Sequence, residues 1–174
     1  MVISELKSPL PVYSLGLSGT LTGLLSWLVF YVDLDFISQF LGVFFGLAVG
    51  GCLYRFHRLS VWKSLIVVAI FGLSWQLATR FAIRFNSGAD DMVVTGILAG
   101  ALGAAVLVVG FAALFQGFRR IVPVARTVVI GALAGALLGL EGGYGSFLLF
   151  IVWQTAIGAS LGLEKGAFSE PNAR

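Results

Sequence analysis

The sequence predicts an all-α, polytopic transmembrane bundle of six helices with both termini on the cytoplasmic side. Hydrophobic residues make up 59% of the 174 residues and charged residues only 11%, against roughly 25% charged in globular proteins. The apolar residues fall into six blocks, each close to the roughly 20 residues that a helix needs to cross the hydrocarbon core. Lysines and arginines cluster at alternate block ends, a pattern typical of cytoplasmic loops.

Short polar segments mark the ends of the first three blocks. Pro9 and Pro11 precede the first block and suit the start of a helix, and Asp33 follows it. A basic run at 55–58 ends the second block, and a polar turn at 86–91 follows the third.

The last three blocks are bounded in the same way. Arg119 and Arg120 end the fourth block, and Glu141 with two glycines ends the fifth. The six predicted spans are about 12–32, 36–54, 62–82, 92–115, 121–140 and 145–163. Together they use almost the whole chain, so 1–174 is predicted to be a single membrane domain.

The basic residues predict the orientation of the spans. Nine of the eleven lysines and arginines fall at the N-terminus, in the second and fourth loops or in the C-terminal tail, whereas the opposite side holds only Arg80 and Arg84. Short loops rich in lysine and arginine stay in the cytoplasm. Because the positive charge sits at span ends, it indicates a lipid bilayer as the partner and not nucleic acid. The default location is a plasma (inner) membrane, with a thylakoid or another organelle membrane left open.

The 23 glycines predict close helix packing. Lipid provides no hydrophobic drive between helices, so small residues must let the backbones approach. Glycines four residues apart share one helix face. The main sets are Gly42, Gly46 and Gly50 in span two, Gly131, Gly135 and Gly139 in span five, and Gly158 and Gly162 in span six. Such faces pack inside the bundle or against a membrane-protein partner or a second copy, and the sequence leaves these alternatives open.

Few polar residues lie inside the predicted spans. Gln76, Arg80 and Arg84 follow one another at four-residue spacing and form a polar stripe on the outer end of span three. Charge within a membrane is costly and often marks a functional site. The structural alternative is that each arginine reaches the interface and pairs loosely with an outer acid.

A second polar group lies near the middle of span six. Trp153 is far from the membrane interfaces that tryptophan prefers, and the neighbouring Gln154 needs a hydrogen-bond partner, for which Gln39 and Gln76 are candidates. Either the pair joins helices, or it contributes to a solute site together with Gln76 and Arg80. Glu141 in its glycine-rich turn is a further candidate, as a gating segment or a simple connection.

Several function classes lack the residues that they require. With one histidine, His57, and one cysteine, Cys52, the chain offers neither a bis-histidine haem site nor a cysteine metal site. No catalytic, cofactor-binding or metal-binding motif stands out, so we expect no enzyme and no cofactor.

Two functional hypotheses remain. The first is a small non-catalytic transport or channel-type component, which the polar candidates and two inverted three-span halves would suit. A rival division into three hairpins is suggested by the recurrence of Leu-Ser-Trp at 25–27 and 73–75. The second hypothesis is an accessory or assembly subunit that binds a larger membrane complex through its glycine faces.

Overall fold

The computed structural model describes residues 10–32, 39–86, 91–140, 144–163 and 168. All regular structure in this part of the chain is helical, which confirms the predicted all-α class. The α-helices are α1 Leu10–Tyr31, α2 Leu41–His57, α3 Val61–Asn86, α4 Met92–Leu114, α5 Ile121–Gly135 and α6 Tyr144–Gly162. Short 3-10 helices, Gln116–Arg119 and Ala136–Gly139, follow α4 and α5.

Four of the helices are long and apolar enough to cross a membrane. Their candidate spans are Val12–Val29, Val61–Phe85, Met92–Leu114 and Ile121–Gly139. The apolar stretches of α2 and α6, Leu41–His57 and Leu148–Gly162, are shorter. At 1.5 Å per residue, α2 is about 25 Å long, slightly less than the roughly 30 Å of a hydrocarbon core. These helices are compatible with an integral membrane protein.

Two helices differ in extent from the predicted spans. The second helix begins at Leu41 and not near residue 36, and residues 33–38 lie outside the described part of the chain. The third helix continues to Asn86, four residues beyond the predicted end, and the rings of Phe81 and Phe85 stack along this extra turn. A longer α3 carries Arg80 within the helix instead of at its edge.

The six helices form a closed ring in chain order, in which α6 also contacts α1. The most extensive contacts join α2 with α3, α4 with α5, and α6 with α1. These close pairs recur at every second helix, but they join helices of successive hairpins and not the two helices of one hairpin. Two inverted halves would instead make the contact of α2 with α3 equivalent to that of α5 with α6, which is much smaller.

Glycines lie at each of the three close pairs. A Cβ built on Gly96 would overlap the carbonyl of Gly135, and one on Gly100 would overlap the carbonyl of Gly131, so the backbones of α4 and α5 nearly touch. Gly139 lies in the same way against Val93. The corresponding glycines are Gly19, Gly23 and Gly158 between α1 and α6, and Gly42, Gly46 and Gly50 between α2 and α3.

Aromatic side chains fill the half of the ring that contains the second and fourth loops. Phe45 packs on Phe71 with ring centroids 4.7 Å apart, and Phe71 packs on Phe111 at 5.9 Å. Phe118 and Phe168 extend this cluster beyond the C-terminal end of α4. All five rings are buried. This half of the bundle is therefore a solid core.

Arginines satisfy the carbonyl ends of two helices that finish on this side. The Arg119 Nε donates to the Ala112 carbonyl in the last turn of α4, at 3.1 Å. Arg126 of α5 donates to the Ser160 carbonyl near the end of α6, at 2.9 Å. The last carbonyls of a helix have no partner within the helix and carry partial negative charge, so a cation is favoured there.

We expect the substitution Gly100→Ala to destabilise the protein. The added methyl group would meet the backbone of α5, which cannot move aside as a flexible side chain could. Overpacking of this kind costs about 1–3 kcal/mol. The matched control is Gly51→Ala in α2, where an added Cβ meets nothing within 4 Å and helix propensity favours alanine by roughly 0.5–1 kcal/mol. Thermal unfolding in detergent measures both variants, and equal melting temperatures would contradict a close α4–α5 contact.

Candidate functional site

A cavity of about 750 Å³ occupies the half of the bundle opposite the aromatic core. Residues of α3, α4, α5 and α6 line it, together with Gln39 just before α2. Its volume lies within the range of about 300–1,000 Å³ that is typical of small-molecule sites.

The cavity forms where α3 and α4 separate. At mid-helix the two are joined, because the Ser74 hydroxyl donates to the Gly103 carbonyl at 2.6 Å and both residues are buried. One turn further along α3, Ala78 still lies close to Gly103. Beyond that point both helices line the cavity, α4 with Gly96, Ala99 and Gly100. Because these residues have little or no side chain, they leave open space.

Three aromatic side chains form the floor of the cavity. The rings of Trp75 in α3 and Phe150 in α6 are 5.6 Å apart, with an angle of 40° between their planes. Trp153 packs edge-on against Phe45, which belongs to the aromatic core. Phe150 is buried and both tryptophans are partly buried. The floor therefore presents flat apolar surfaces that are backed by the solid half of the bundle.

The polar groups follow one strip of α3, toward the mouth. Gln76, Thr79 and Arg80 lie at spacings of three and four residues, so they share a helix face. The Gln76 side chain donates from Nε2 to the Gln39 carbonyl at 2.6 Å, which holds the start of α2 against α3. Arg80 is exposed, and the cavity extends past it to Ile83. From Trp75 to Ile83 the lined part of α3 rises about 12 Å.

The structure brings together three of the five candidate solute-site residues. Gln76, Arg80 and Trp153 line the cavity, whereas Arg84 does not. Gln154 is buried on the opposite side of α6, where its Nε2 donates to the Ser26 hydroxyl of α1 at 3.0 Å, so neither Gln39 nor Gln76 is its partner. Glu141 lies outside the described residues.

Sequence reasoning missed several residues of the cavity. Trp75, Thr79 and Phe150 are not among the residues predicted for the site, although Thr79 lies one turn from Gln76 on the same helix face. Apolar residues such as Phe150 carry no signal that separates the cavity wall from the core. Ala99 and Gly100 also line the space, yet their small size predicts close packing as readily as it predicts a cavity. No protein family, curated protein or solved structure significantly matches this chain.

We expect Ser26→Ala to destabilise the protein more than Gln154→Leu. Among the described residues, the Gln154 Oε1 atom already lacks a hydrogen-bond partner, and Ser26 is the partner of its Nε2. Removing the hydroxyl leaves the whole buried amide unpaired, at a cost of about 1–3 kcal/mol. Gln154→Leu removes the amide itself, so we expect a loss below about 1 kcal/mol.

The double variant Ser26→Ala/Gln154→Leu provides the control. It should be more stable than Ser26→Ala alone, because the unpaired amide is gone. Unfolding in mixed detergent micelles measures the four proteins of this cycle. Strictly additive losses would show that the two side chains do not interact.

Proposed function

We propose that this chain is a six-span integral membrane protein with cytoplasmic termini that acts as a small, non-catalytic transport or channel-type component. The single observation that carries the proposal is the cavity between α3, α4, α5 and α6. Its lining combines polar groups of α3, toward one end of the bundle, with aromatic rings near the middle of α3 and α6. Such a mixture is typical of sites that orient a small solute.

Apolar side chains on the outside of the ring support six spans. Each helix exposes at least one large apolar residue: Leu21 in α1, Leu47 in α2, Ile66 in α3, Val109 in α4, Leu133 in α5 and Val152 in α6. The shorter helices α2 and α6 thus share this outward character with the four longer ones. Exposed apolar surface around a whole bundle suits lipid and not water.

The distribution of positive charge supports the orientation. Consecutive helices are antiparallel, so the end of α2 and the start of α3 lie at one face of the bundle, as do the end of α4 and the start of α5. Arg55, Arg58, Lys63, Arg119, Arg120 and Arg126 lie there. Arg80 and Arg84 lie toward the other face. With the basic face in the cytoplasm, the end of the cavity lined by Arg80 and Ile83 lies toward the outside.

Passage of a solute requires a second conformation. On its inner side the cavity ends at Trp153 and Phe150, beyond which Phe45, Phe71 and Phe111 pack in sequence. These three rings are buried and lie between the cavity and the basic face of the bundle. Transport would therefore proceed by separation of the aromatic stack as the outer cavity closes, an alternation that the bilayer-spanning bundles of transporters carry out.

The alternative function is that of an accessory or assembly subunit of a larger membrane complex. A shallow groove of about 320 Å³ runs between α1 and α6 on the outer surface of the ring. Small side chains line it, among them Thr20, Thr155, Ala156 and Ala159. Small residues let the backbone of a second helix approach closely, so a partner subunit or another copy of this chain would fit there.

We expect a thiol at the cavity wall to react with a membrane-impermeant reagent added from outside. In a Cys52→Ser background, which removes the single cysteine, the Thr79→Cys variant places a thiol in the cavity. Leu77→Cys is the matched control, because Leu77 is 40% exposed on the outside of the bundle and does not line the cavity. Thiols react as thiolates, which form in water and not in lipid.

Two further positions test the orientation in the same right-side-out vesicles. Leu140→Cys, after α5, should react from outside, and Gln116→Cys, after α4, should react only once the vesicles are permeabilised. The reverse pattern would overturn the orientation. Equal rates for Thr79→Cys and Leu77→Cys would overturn the water-accessible cavity.

We expect the protein in proteoliposomes to move at least one member of a broad panel of small organic solutes, and Ala99→Leu to abolish that flux. Ala99 is buried in the cavity wall, so a larger side chain fills the site. Ala113→Leu on the exposed face of the same helix is the control and should leave flux unchanged. If no solute moves and a larger partner co-purifies in mild detergent, the accessory-subunit function replaces the proposal.

A further inference from the structure

We infer that the cavity takes a small organic monoanion, with one carboxylate held at Arg80 and a flat apolar body lying on the aromatic floor. This inference rests on the proposed solute site and adds the chemical class of its ligand. Three features of the cavity support it: the charge of its lining, the position of its donor groups and the shape of its inner part.

The charge of the lining favours an anion. Among the described residues that line the cavity, Arg80 carries a positive charge and none carries a carboxylate. Among the described residues, no hydrogen bond or ion pair of the Arg80 guanidinium occurs. Asp91, the acid that the described residues place at the outer face, is already engaged, because its carboxylate accepts from the backbone N–H groups of Val93 and Val94 at the start of α4. Its charge is thus offset by the helix that it caps.

The donor groups favour a carboxylate bound in one orientation. A guanidinium presents two parallel N–H groups that match the two oxygens of a carboxylate. The Thr79 hydroxyl is adjacent, and Gln76 lies one turn deeper, about 6 Å along the axis. With Gln76 fixed on the Gln39 carbonyl, the polar strip is held in place before a ligand arrives. A single cation suits one negative charge, whereas a polyanion would keep uncompensated charge near the membrane.

The inner part of the cavity favours a flat body. Trp75, Phe150 and Trp153 present ring surfaces on the α3 and α6 sides. The α4 side carries nothing larger than the methyl group of Ala99 between Gly96 and Gly100. A planar apolar group would bury its faces between these walls. An inorganic anion at Arg80 would leave that space unfilled, whereas an amphipathic acid would also bury apolar surface there.

Binding of paired probes tests the inference. The full chain in nanodiscs of zwitterionic lipid is titrated with 2-naphthoate and with its neutral analogue 2-naphthamide, by calorimetry with empty nanodiscs subtracted. Hydrogen bonds between a guanidinium and a carboxylate are stronger than those to a neutral amide, so we expect naphthoate to bind at least about tenfold more tightly than the amide. Decanoate, a flexible lipid-like acid, should bind more weakly than naphthoate.

Two arginine variants separate a bound carboxylate from general attraction of anions. Arg80→Gln should weaken naphthoate by at least about tenfold and leave the amide nearly unchanged. Arg84→Gln removes the same charge one turn along the helix, outside the cavity lining, and should change neither Kd by more than about twofold. Thermal unfolding of both variants confirms that each remains folded.

The outcomes distinguish this inference from the proposed function. Equal affinity for acid and amide, or an equal loss in Arg80→Gln and Arg84→Gln, overturns the carboxylate at Arg80. Equal affinity for decanoate and naphthoate overturns the flat body. In each of these cases the solute site itself stands if Thr79→Cys reacts from outside and flux is observed. Failure of those two measurements overturns the solute site and the inference with it.

Discussion

The approach of helix backbones at glycines is the contact on which the rest of the structure depends. At Gly96, Gly100 and Gly135 a methyl group would already collide with the neighbouring backbone. Contact this close maximises van der Waals attraction, the main force that joins helices when the surroundings are as apolar as the side chains. Because each pair of this kind has its glycines on one face, the remaining faces are free to point inward to the core or outward.

The cavity follows from where these close contacts are absent. The glycines of α4 pack against α5. In the outer half of α4, its small residues therefore contact α5 on one side and line the cavity on the other. The aromatic stack closes the inner half, where Phe71 and Phe111 bring α3 and α4 together. Tight pairing and open space thus occur in one bundle because large side chains fill only one of its halves.

The sequence predicted the helices better than the site, for physical reasons. Block length and apolar composition report directly on helices, and the ends of four predicted spans lie within three residues of the observed helical segments, with the 3-10 helix Ala136–Gly139 counted as the end of the fifth. The four-residue spacing of Gln76 and Arg80 predicted correctly that both lie on one face of α3. The partner of Gln154 could not be predicted, because it depends on which face of α6 turns toward α1. Trp153 and Gln154 are neighbours in the chain, yet one lines the cavity and the other points away.

Arg80 differs in its surroundings from two arginines at the basic end, and the difference bears on function. At the basic end, Arg119 and Arg126 bind the last carbonyls of α4 and α6, so their charge has a structural role. Arg80 lies six residues before the end of α3, beyond the reach of the partial charge at that terminus. The carbonyls around it are hydrogen-bonded within the helix, so among the described residues the guanidinium has no such structural partner. A cation that stabilises no helix end, beside a cavity lined with aromatic rings, is the feature on which the proposed anion site depends.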